Sequence, residues 1–277
     1  MGHGSSIAAV RALSQIEAWP GAAAAAVVVG PDGTIASHGD ASRVHPWASV
    51  TKLLTALAAL VAVEEGTIDL DEPAGPEGST VRHLLAHASG LAPDDDAVLA
   101  EPGRRRIYSN TGFERLGDLV AARAEMPFAG YLSAAVLGPL GIAGELQGSP
   151  AHAYAGSLDD LALLGQELLA PSVVAGETLA EATTVQFPGL VGVLPGFGRM
   201  EPNDWGLGLE LRDGKHPHWT GAQNSAATFG HFGRSGTLLW VDPERRLALG
   251  VLTDEPFGDW ATAAWPALSD AVLAEAG

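Results

Sequence analysis

Cysteine is absent from the whole 277-residue sequence. Its absence excludes disulfides, thiolate metal sites and cysteine nucleophiles. Basic residues are also scarce, with 15 Lys and Arg against 33 Asp and Glu and a formal net charge of -18 at pH 7. Because nucleic acids and anionic membrane surfaces bind basic patches, we expect neither of them as a partner.

Long hydrophobic runs are a third absence. No stretch reaches the roughly 18 apolar residues that a membrane-spanning helix needs, so we expect no membrane span. The sequence as it stands shows no signal peptide. We therefore expect a cytoplasmic protein, or a secreted or periplasmic one if a leader has been removed. The 47% hydrophobic content is that of a folded chain with a large core.

Strand patterns occupy both ends of the chain, and helical patterns lie between them. Residues 21–29 and 34–38 resemble a hairpin joined by a Pro-Asp-Gly turn. We predict an α/β (α+β) fold in which an antiparallel sheet built from both termini is flanked by helices. We assign residues 1–79 and 203–277 to this α/β subdomain and residues 80–202 to a mostly helical inserted subdomain, with the active-site cleft between them. The other predicted strands are residues 206–211, 228–232, 237–241 and 247–253.

Apolar residues at helical spacing predict the helices. The segment 48–65 is apolar on nearly all sides, so we expect a buried helix there. Thr80 and Ser157 each precede a helical segment and belong to the residue types that cap helix N-termini. The other predicted helices are residues 6–18, 81–86, 111–124, 128–137, 158–169 and 259–276, and the predicted loops include 69–78 and 171–202.

Only two of the 15 basic residues are lysines, and one of them lies inside the buried helix. Lys52 follows Ser49 by three positions, which puts both side chains on one helix face. A desolvated lysine can lose its proton, whereas arginine cannot, so Lys52 suits the role of base for a Ser49 nucleophile. The free N–H groups of the first helical turn favour an oxyanion. The alternative is a capping serine beside a lysine whose amine extends to solvent.

Two further segments carry groups that suit the same chemistry. Tyr108 can relay the serine proton, because a nearby lysine cation favours the phenolate, and the amide of Asn110 can bind a substrate carbonyl. His231 is a hydrogen-bond donor near neutral pH, and Gly233 leaves room for a ligand beside an edge strand. The structural alternatives are a packed tyrosine in a turn and a histidine at the end of a strand.

These segments resemble, in order and approximate spacing, the S-x-x-K, Y-x-N and H-x-G motifs of the serine β-lactamase-related family. That family includes class C β-lactamases, D,D-carboxypeptidases, D-aminopeptidases and β-lactamase-like esterases. The stretch VRHLLAHASGL at residues 81–91 is also similar to a segment of that family. The resemblance extends over about residues 20–275 and implies the β-lactamase/transpeptidase-like version of the predicted fold.

The resemblance implies a role for each motif residue. Ser49 would be the acylated nucleophile, and Lys52 and Tyr108 would share the role of base. The backbone N–H groups of Ser49 and Arg234 would form the oxyanion hole. The substrate-binding residues that the resemblance implies are Asn110, His231, Phe232, Gly233 and Arg234.

The third motif departs from the pattern of true β-lactamases. His231 occupies the position of the lysine in K-T-G, and an imidazole anchors a carboxylate less firmly at pH 7. Phe232 is bulkier than the usual threonine, and Arg234 is large where small residues are common. These departures disfavour efficient β-lactam hydrolysis and favour an esterase or a peptidase.

We therefore expect a serine hydrolase that forms an acyl-enzyme on Ser49 and acts on small esters or amides. Its partner would be a small-molecule acyl substrate, namely an ester, an amide or a D-peptide, and no cofactor is implied. The alternatives are a D-aminopeptidase, a D,D-carboxypeptidase or a weak β-lactamase. A different class of alternative is a non-catalytic module that binds cell-wall peptides.

Several other features suggest sites at first sight. His83 and His87 have the spacing of a zinc pair, but the glutamate of H-E-x-x-H is missing, so we expect no metal site. Residues 104–106 are three arginines, which we interpret as a solvated basic run. The three aspartates at 94–96 are interpreted as loop, and residues 216–219 are expected to line the cleft.

Overall fold

A computed structural model describes residues 11–276 of the chain. The predicted helix over residues 6–18 therefore lies partly outside the described residues. Inside them, Ser14–Ala18 forms a 3-10 helix whose Ile16 side chain is buried.

A six-stranded antiparallel sheet forms the centre of the fold. Its strands are β1 (Ala24–Gly30), β2 (Gly33–His38), β8 (Glu210–Leu211), β9 (Phe229–Gly233), β10 (Thr237–Asp242) and β11 (Leu247–Thr253). They are ordered β2-β1-β11-β10-β9-β8, and each neighbouring pair is antiparallel. The sheet thus joins an early hairpin to four later strands, which confirms the predicted sheet built from both ends of the chain.

Shorter strands form two small sheets. β3 (His45–Pro46), β4 (Glu145–Leu146) and β5 (Tyr154–Gly156) pair in the order β3-β5-β4, and β6 (Gly192–Leu194) pairs with β7 (Gly198–Met200). The α-helices of the described residues are α1 (Thr51–Glu64), α2 (Val81–Leu85), α3 (Asn110–Arg123), α4 (Phe128–Leu132), α5 (Gly138–Leu140), α6 (Leu158–Leu169), α7 (Gly176–Ala182) and α8 (Asp259–Ala276).

Both faces of the central sheet are covered at strand β1, which is why that strand is continuously apolar. Successive side chains of a strand point to opposite faces. Val27 and Val29 accordingly join a core with α1 and α6, whereas Val28 joins a second core with Trp240 and helix α8. No helix of the described residues is long and apolar enough to span a membrane.

Some predicted elements differ from the observed ones. Only Glu210–Leu211 of the predicted strand 206–211 is a strand, because Gly208 has a φ of +82° and the chain turns there. The predicted helix 128–137 changes into a π-helical turn at Ser133–Leu137. The predicted loop 171–202 contains helix α7 and the β6–β7 hairpin.

The division into two subdomains stays a prediction. Helix α6 belongs by sequence to the inserted range 80–202, yet it packs against strands β1, β10 and β11 of the central sheet. Helix α1 precedes that range and packs against α3 and α4. The helices on either side of the proposed boundary are therefore interleaved in space.

Candidate active site

Ser49 lies in a short 3-10 turn, Ala48–Val50, directly before helix α1. Ala48 has a φ of +45°, which is a strained conformation for a residue with a side chain. The fully buried Trp47 anchors this turn, since its indole N–H donates to the Gly156 carbonyl at 3.2 Å. The serine is thus held on a rigid support, and Lys52 follows on the same helix.

Lys52 is completely buried, and its amine contacts three oxygens. Nζ donates to Asn110 Oδ1 at 2.6 Å, to the Ala151 carbonyl at 2.9 Å and to Ser49 Oγ at 3.4 Å. Burial lowers the pKa of Lys52 to about 7, although the carboxylates of Asp94 and Glu114 oppose this shift. The amine is therefore able to exchange its proton near neutral pH.

Tyr108 meets Ser49 from the other side of the site. Its hydroxyl donates to Ser49 Oγ at 2.7 Å, and its ring lies 4.7 Å from the Lys52 nitrogen. Burial raises the pKa of Tyr108 above its usual range. The expectation that the lysine makes this phenol ionise easily is therefore wrong: the amine is the group that titrates near neutrality, and the phenol keeps its proton.

His231, on strand β9, lies behind Tyr108. Its Nδ1–H donates to the Phe232 carbonyl at 2.7 Å, so Nε2 is an acceptor and faces the Tyr108 hydroxyl at 3.5 Å. Burial, together with the Lys52 charge, lowers the pKa of His231 to about 3. The imidazole is neutral at pH 7 and its Nε2 carries no proton, which corrects the expectation that it is a donor to the substrate.

The three residues after His231 differ in what they offer the site. Phe232 points to the opposite face of the sheet and packs in the aromatic core with Trp265, so its side chain is not a substrate contact. Gly233 lies against the Trp47 carbonyl and leaves no room for a Cβ. Arg234 is exposed in the turn after β9, and its charge acts on Tyr108.

Asn110 is the first residue of helix α3, and the preceding residue caps that helix. The Ser109 hydroxyl accepts from the Gly112 N–H at 3.0 Å. The Asn110 side chain is thereby held beside Lys52, and its Nδ2 donates to Asp94 Oδ1 at 2.7 Å. The Y-x-N segment thus brings both of its polar side chains to the serine and the lysine.

His87 and Trp205 support the tyrosine and were not identified from the sequence. The His87 ring lies 4.6 Å from the Tyr108 ring, and its Nδ1 accepts from the Ser109 N–H at 3.1 Å. Trp205 packs edge-on against His87 and also against His231. The positive φ of His87, +54°, marks the tight bend that makes this packing possible.

The histidine pair and the arginine run have structural roles. His83 stacks on Phe187 and bonds to Thr80, away from His87, and the described residues contain no cluster suited to a metal ion. Arg106 is buried rather than solvated, because its guanidinium donates to the carbonyls of Ala86, Gln186 and Asn203. The expectation of a solvated run therefore holds only for its two exposed neighbours.

The second lysine, Lys215, is buried in an ion cluster rather than in the cleft. It pairs with Glu210, which also accepts from His218 Nε2 at 2.9 Å and from the Trp219 indole at 2.7 Å. Burial opposes ionisation of Glu210, yet His218 and Lys215 hold its pKa at about 2. His218 and Trp219 therefore belong to this ion cluster, and the expectation that they line the cleft is wrong.

Comparisons with known proteins bear on the family and the fold of this chain. The family described as Beta-lactamase matches residues 8–273. The crystal structure of a beta-lactamase from Mycobacterium bovis is 56% identical, with a TM-score of 0.95 over 96% of this chain and 99% of the other. No curated protein sequence matches.

More distant structures share the fold alone. EstCE1, a hydrolase with promiscuous acyltransferase activity, is 17% identical, with a TM-score of 0.79 over 97% of this chain and 98% of the other. A mutant of simvastatin synthase from Aspergillus terreus is 16% identical, with a TM-score of 0.77 over 99% of this chain and 98% of the other. The family match and the 56% identical relative carry the conclusion that this chain belongs to the beta-lactamase family, whose members are generally serine hydrolases.

Proposed function

We propose that this protein is a serine hydrolase that forms an acyl-enzyme on Ser49 and acts on small esters or amides. The observation that carries the proposal is the meeting of three groups from distant segments. Ser49 Oγ accepts a hydrogen bond from the Tyr108 hydroxyl at 2.7 Å and lies 3.4 Å from the Lys52 amine. A capping serine or a solvent-seeking lysine would need neither contact.

The protonation states suggest how the groups divide the reaction. Neutral Lys52 takes the proton of the Ser49 hydroxyl while Oγ bonds to the acyl carbon of the substrate. The leaving group departs with a proton, which the protonated pair of Lys52 and Tyr108 supplies. Water then attacks the ester on Ser49 and gives a proton to the same pair. The bond between the acyl carbon and Ser49 Oγ breaks, the pair returns the proton to Oγ, and the carboxylic acid leaves.

Mass spectrometry after treatment with a fluorophosphonate tests the nucleophile. We expect one phosphonyl adduct on the wild type, mapped to Ser49, and none on Ser49→Ala. Lys52→Arg is the matched base variant and should label very slowly, because a guanidinium keeps its proton. An unlabelled wild type, or equal labelling of Ser49→Ala, contradicts the proposal and favours a non-catalytic binding module.

The rate of labelling should depend on pH through Lys52. Because the reactive form is the neutral amine, the rate is low below the pKa of about 7, rises through it and levels off above it. We expect a single rising limb with its midpoint near pH 7. A flat profile between about pH 5 and pH 9 would show that Lys52 is not the base.

A second candidate is β-lactam or D-peptide hydrolysis. It is favoured by the description of the 56% identical relative as a beta-lactamase and by the exposed Arg234, which offers a cation to a substrate carboxylate. The neutral His231 disfavours it. A panel of short-chain p-nitrophenyl esters, D-alanine amides and a chromogenic cephalosporin separates these activities by their kcat/KM.

A further inference from the structure

Asp94 belongs to the loop of three aspartates at residues 94–96. It is linked to Lys52 by hydrogen bonds that both residues make with the Asn110 side chain. Lys52 Nζ donates to Asn110 Oδ1 at 2.6 Å, and Asn110 Nδ2 donates to Asp94 Oδ1 at 2.7 Å. The chain of contacts therefore runs from a buried amine through one amide to a carboxylate at the solvent edge. No sequence motif of the site contains Asp94.

The two partners of Asn110 determine which way its amide faces. A carboxylate can only accept hydrogen bonds, and a lysine ammonium can only donate them. A rotated amide would place its N–H₂ group against the ammonium and its oxygen against the carboxylate, so both contacts would be lost. The observed orientation is the one that satisfies both partners, and it leaves the second N–H of the amide for a substrate carbonyl.

We propose that Asp94 is a positioning residue that fixes the orientation of the Asn110 amide and, through that amide, the place of the Lys52 amine. This inference rests on the proposed function of Ser49 and Lys52. The Asp94 carboxylate also acts by its charge, because a negative group near the amine favours the ammonium. Asp94 thus counteracts the effect of burial, which favours the neutral amine.

Four other ionisable groups surround Lys52, and a substitution of Asp94 changes none of them chemically. Glu114, on helix α3, adds a second negative charge. His231 on β9 and His87 are both held neutral, since burial lowers the pKa of each. Tyr108 keeps its proton. Of the two carboxylates that raise the pKa of Lys52, Asp94 has the larger effect.

The neighbouring aspartates provide matched controls, because the side-chain contacts of both are made with residues other than Asn110. Asp95 Oδ1 accepts from the Ala97 N–H at 2.8 Å. Asp96 pairs with Arg115 at the surface. Asp96→Asn removes the same charge from the same loop as Asp94→Asn, and it leaves the contacts of Asn110 intact.

The test is the second-order rate constant for fluorophosphonate labelling of Ser49, measured against pH for four proteins: wild type, Asp94→Asn, Asp94→Ala and Asp96→Asn. In Asp94→Asn an acceptor oxygen remains and the charge is lost, so the midpoint should fall by about half a pH unit. At a pH below both midpoints this variant then labels about threefold faster than the wild type. Its plateau at high pH should stay near that of the wild type.

Asp94→Ala removes the acceptor as well. We expect the same fall in the midpoint and a plateau at least about tenfold lower, because a misplaced base loses most of its catalytic effect. Asp96→Asn should match the wild type in both respects. An unchanged midpoint in Asp94→Asn, an unchanged plateau in Asp94→Ala, or an equal shift in Asp96→Asn overturns the inference. A wild type that does not label refutes the proposed function instead.

Discussion

Replacing Lys52 by methionine should abolish activity. It should also change the free energy of unfolding in a pH-dependent way: the stability of the variant minus that of the wild type should be larger at low pH than at high pH. Lys52 is fully buried and has no direct carboxylate partner. Its ammonium form is therefore costly to bury. Methionine fills a similar volume, carries no charge and does not titrate, so the comparison isolates the proton of Lys52.

The size of the effect follows from proton linkage. An unfolded lysine holds its proton up to about pH 10.5, whereas the pKa of folded Lys52 is about 7. Between these values the unfolded state binds more protons, so the stability of the wild type rises with pH and its deficit is complete below the folded pKa. At 1.36 kcal/mol for each pH unit, the free energy of unfolding of the wild type should rise by about 2–3 kcal/mol relative to Lys52→Met between pH 6 and pH 9.

Urea denaturation of both proteins at several pH values measures this difference. The variant also leaves the Asn110 and Ala151 oxygens without their donor, which costs stability at every pH. The sign of the difference at a single pH is therefore not decisive, but its slope is. A difference in unfolding free energy that is constant between pH 6 and pH 9 would refute the assignment of a buried amine with a lowered pKa.

Three further predictions follow from the packing of the site and its surroundings. Lys215→Met should destabilise the protein by about 3–5 kcal/mol, because it removes the lysine cation from a buried pair with the Glu210 carboxylate, and adding Glu210→Gln should restore part of that loss in urea denaturation. Tyr108→Phe should lower the rate of Ser49 labelling by about 10²–10⁴, because the proton donor is lost; a rate within threefold of the wild type would remove the phenol from the mechanism. Gly233→Ala should cost about 1–3 kcal/mol and slow labelling, because the new methyl group meets the Trp47 carbonyl. Gly130→Ala, whose methyl group meets no atom within 4 Å, is its control.

Much of the fold was predictable because its signals are local. The hairpin of β1 and β2 follows from two short runs, the first of them an unbroken Ala/Val run, joined by a Pro-Asp-Gly turn, and β1 pairs with β2 as expected. The caps at Thr80 and Ser157 are observed where the sequence placed them. The strand expected over residues 206–211 is not formed because Gly208 has a positive φ and lies close against Ala56, which is distant in sequence.

The proposed site was only partly predictable for the same reason. The sequence identified the segments of Ser49, Lys52, Tyr108 and Asn110, and the structure brings these side chains together. It did not reveal that Phe232 faces the second core, since a one-residue step along a strand reverses the direction of a side chain.

What the sequence determined by itself is the set of reactive groups and the order in which the chain presents them. A serine three positions before a buried lysine, a distant tyrosine and an antiparallel sheet from both ends can all be inferred from residue types and spacing. Only the tertiary structure decided the proton on each group. The amine titrates near pH 7 and the imidazole is neutral chiefly because folding removes both from water and brings charges close to them, and residue types and spacing do not show this.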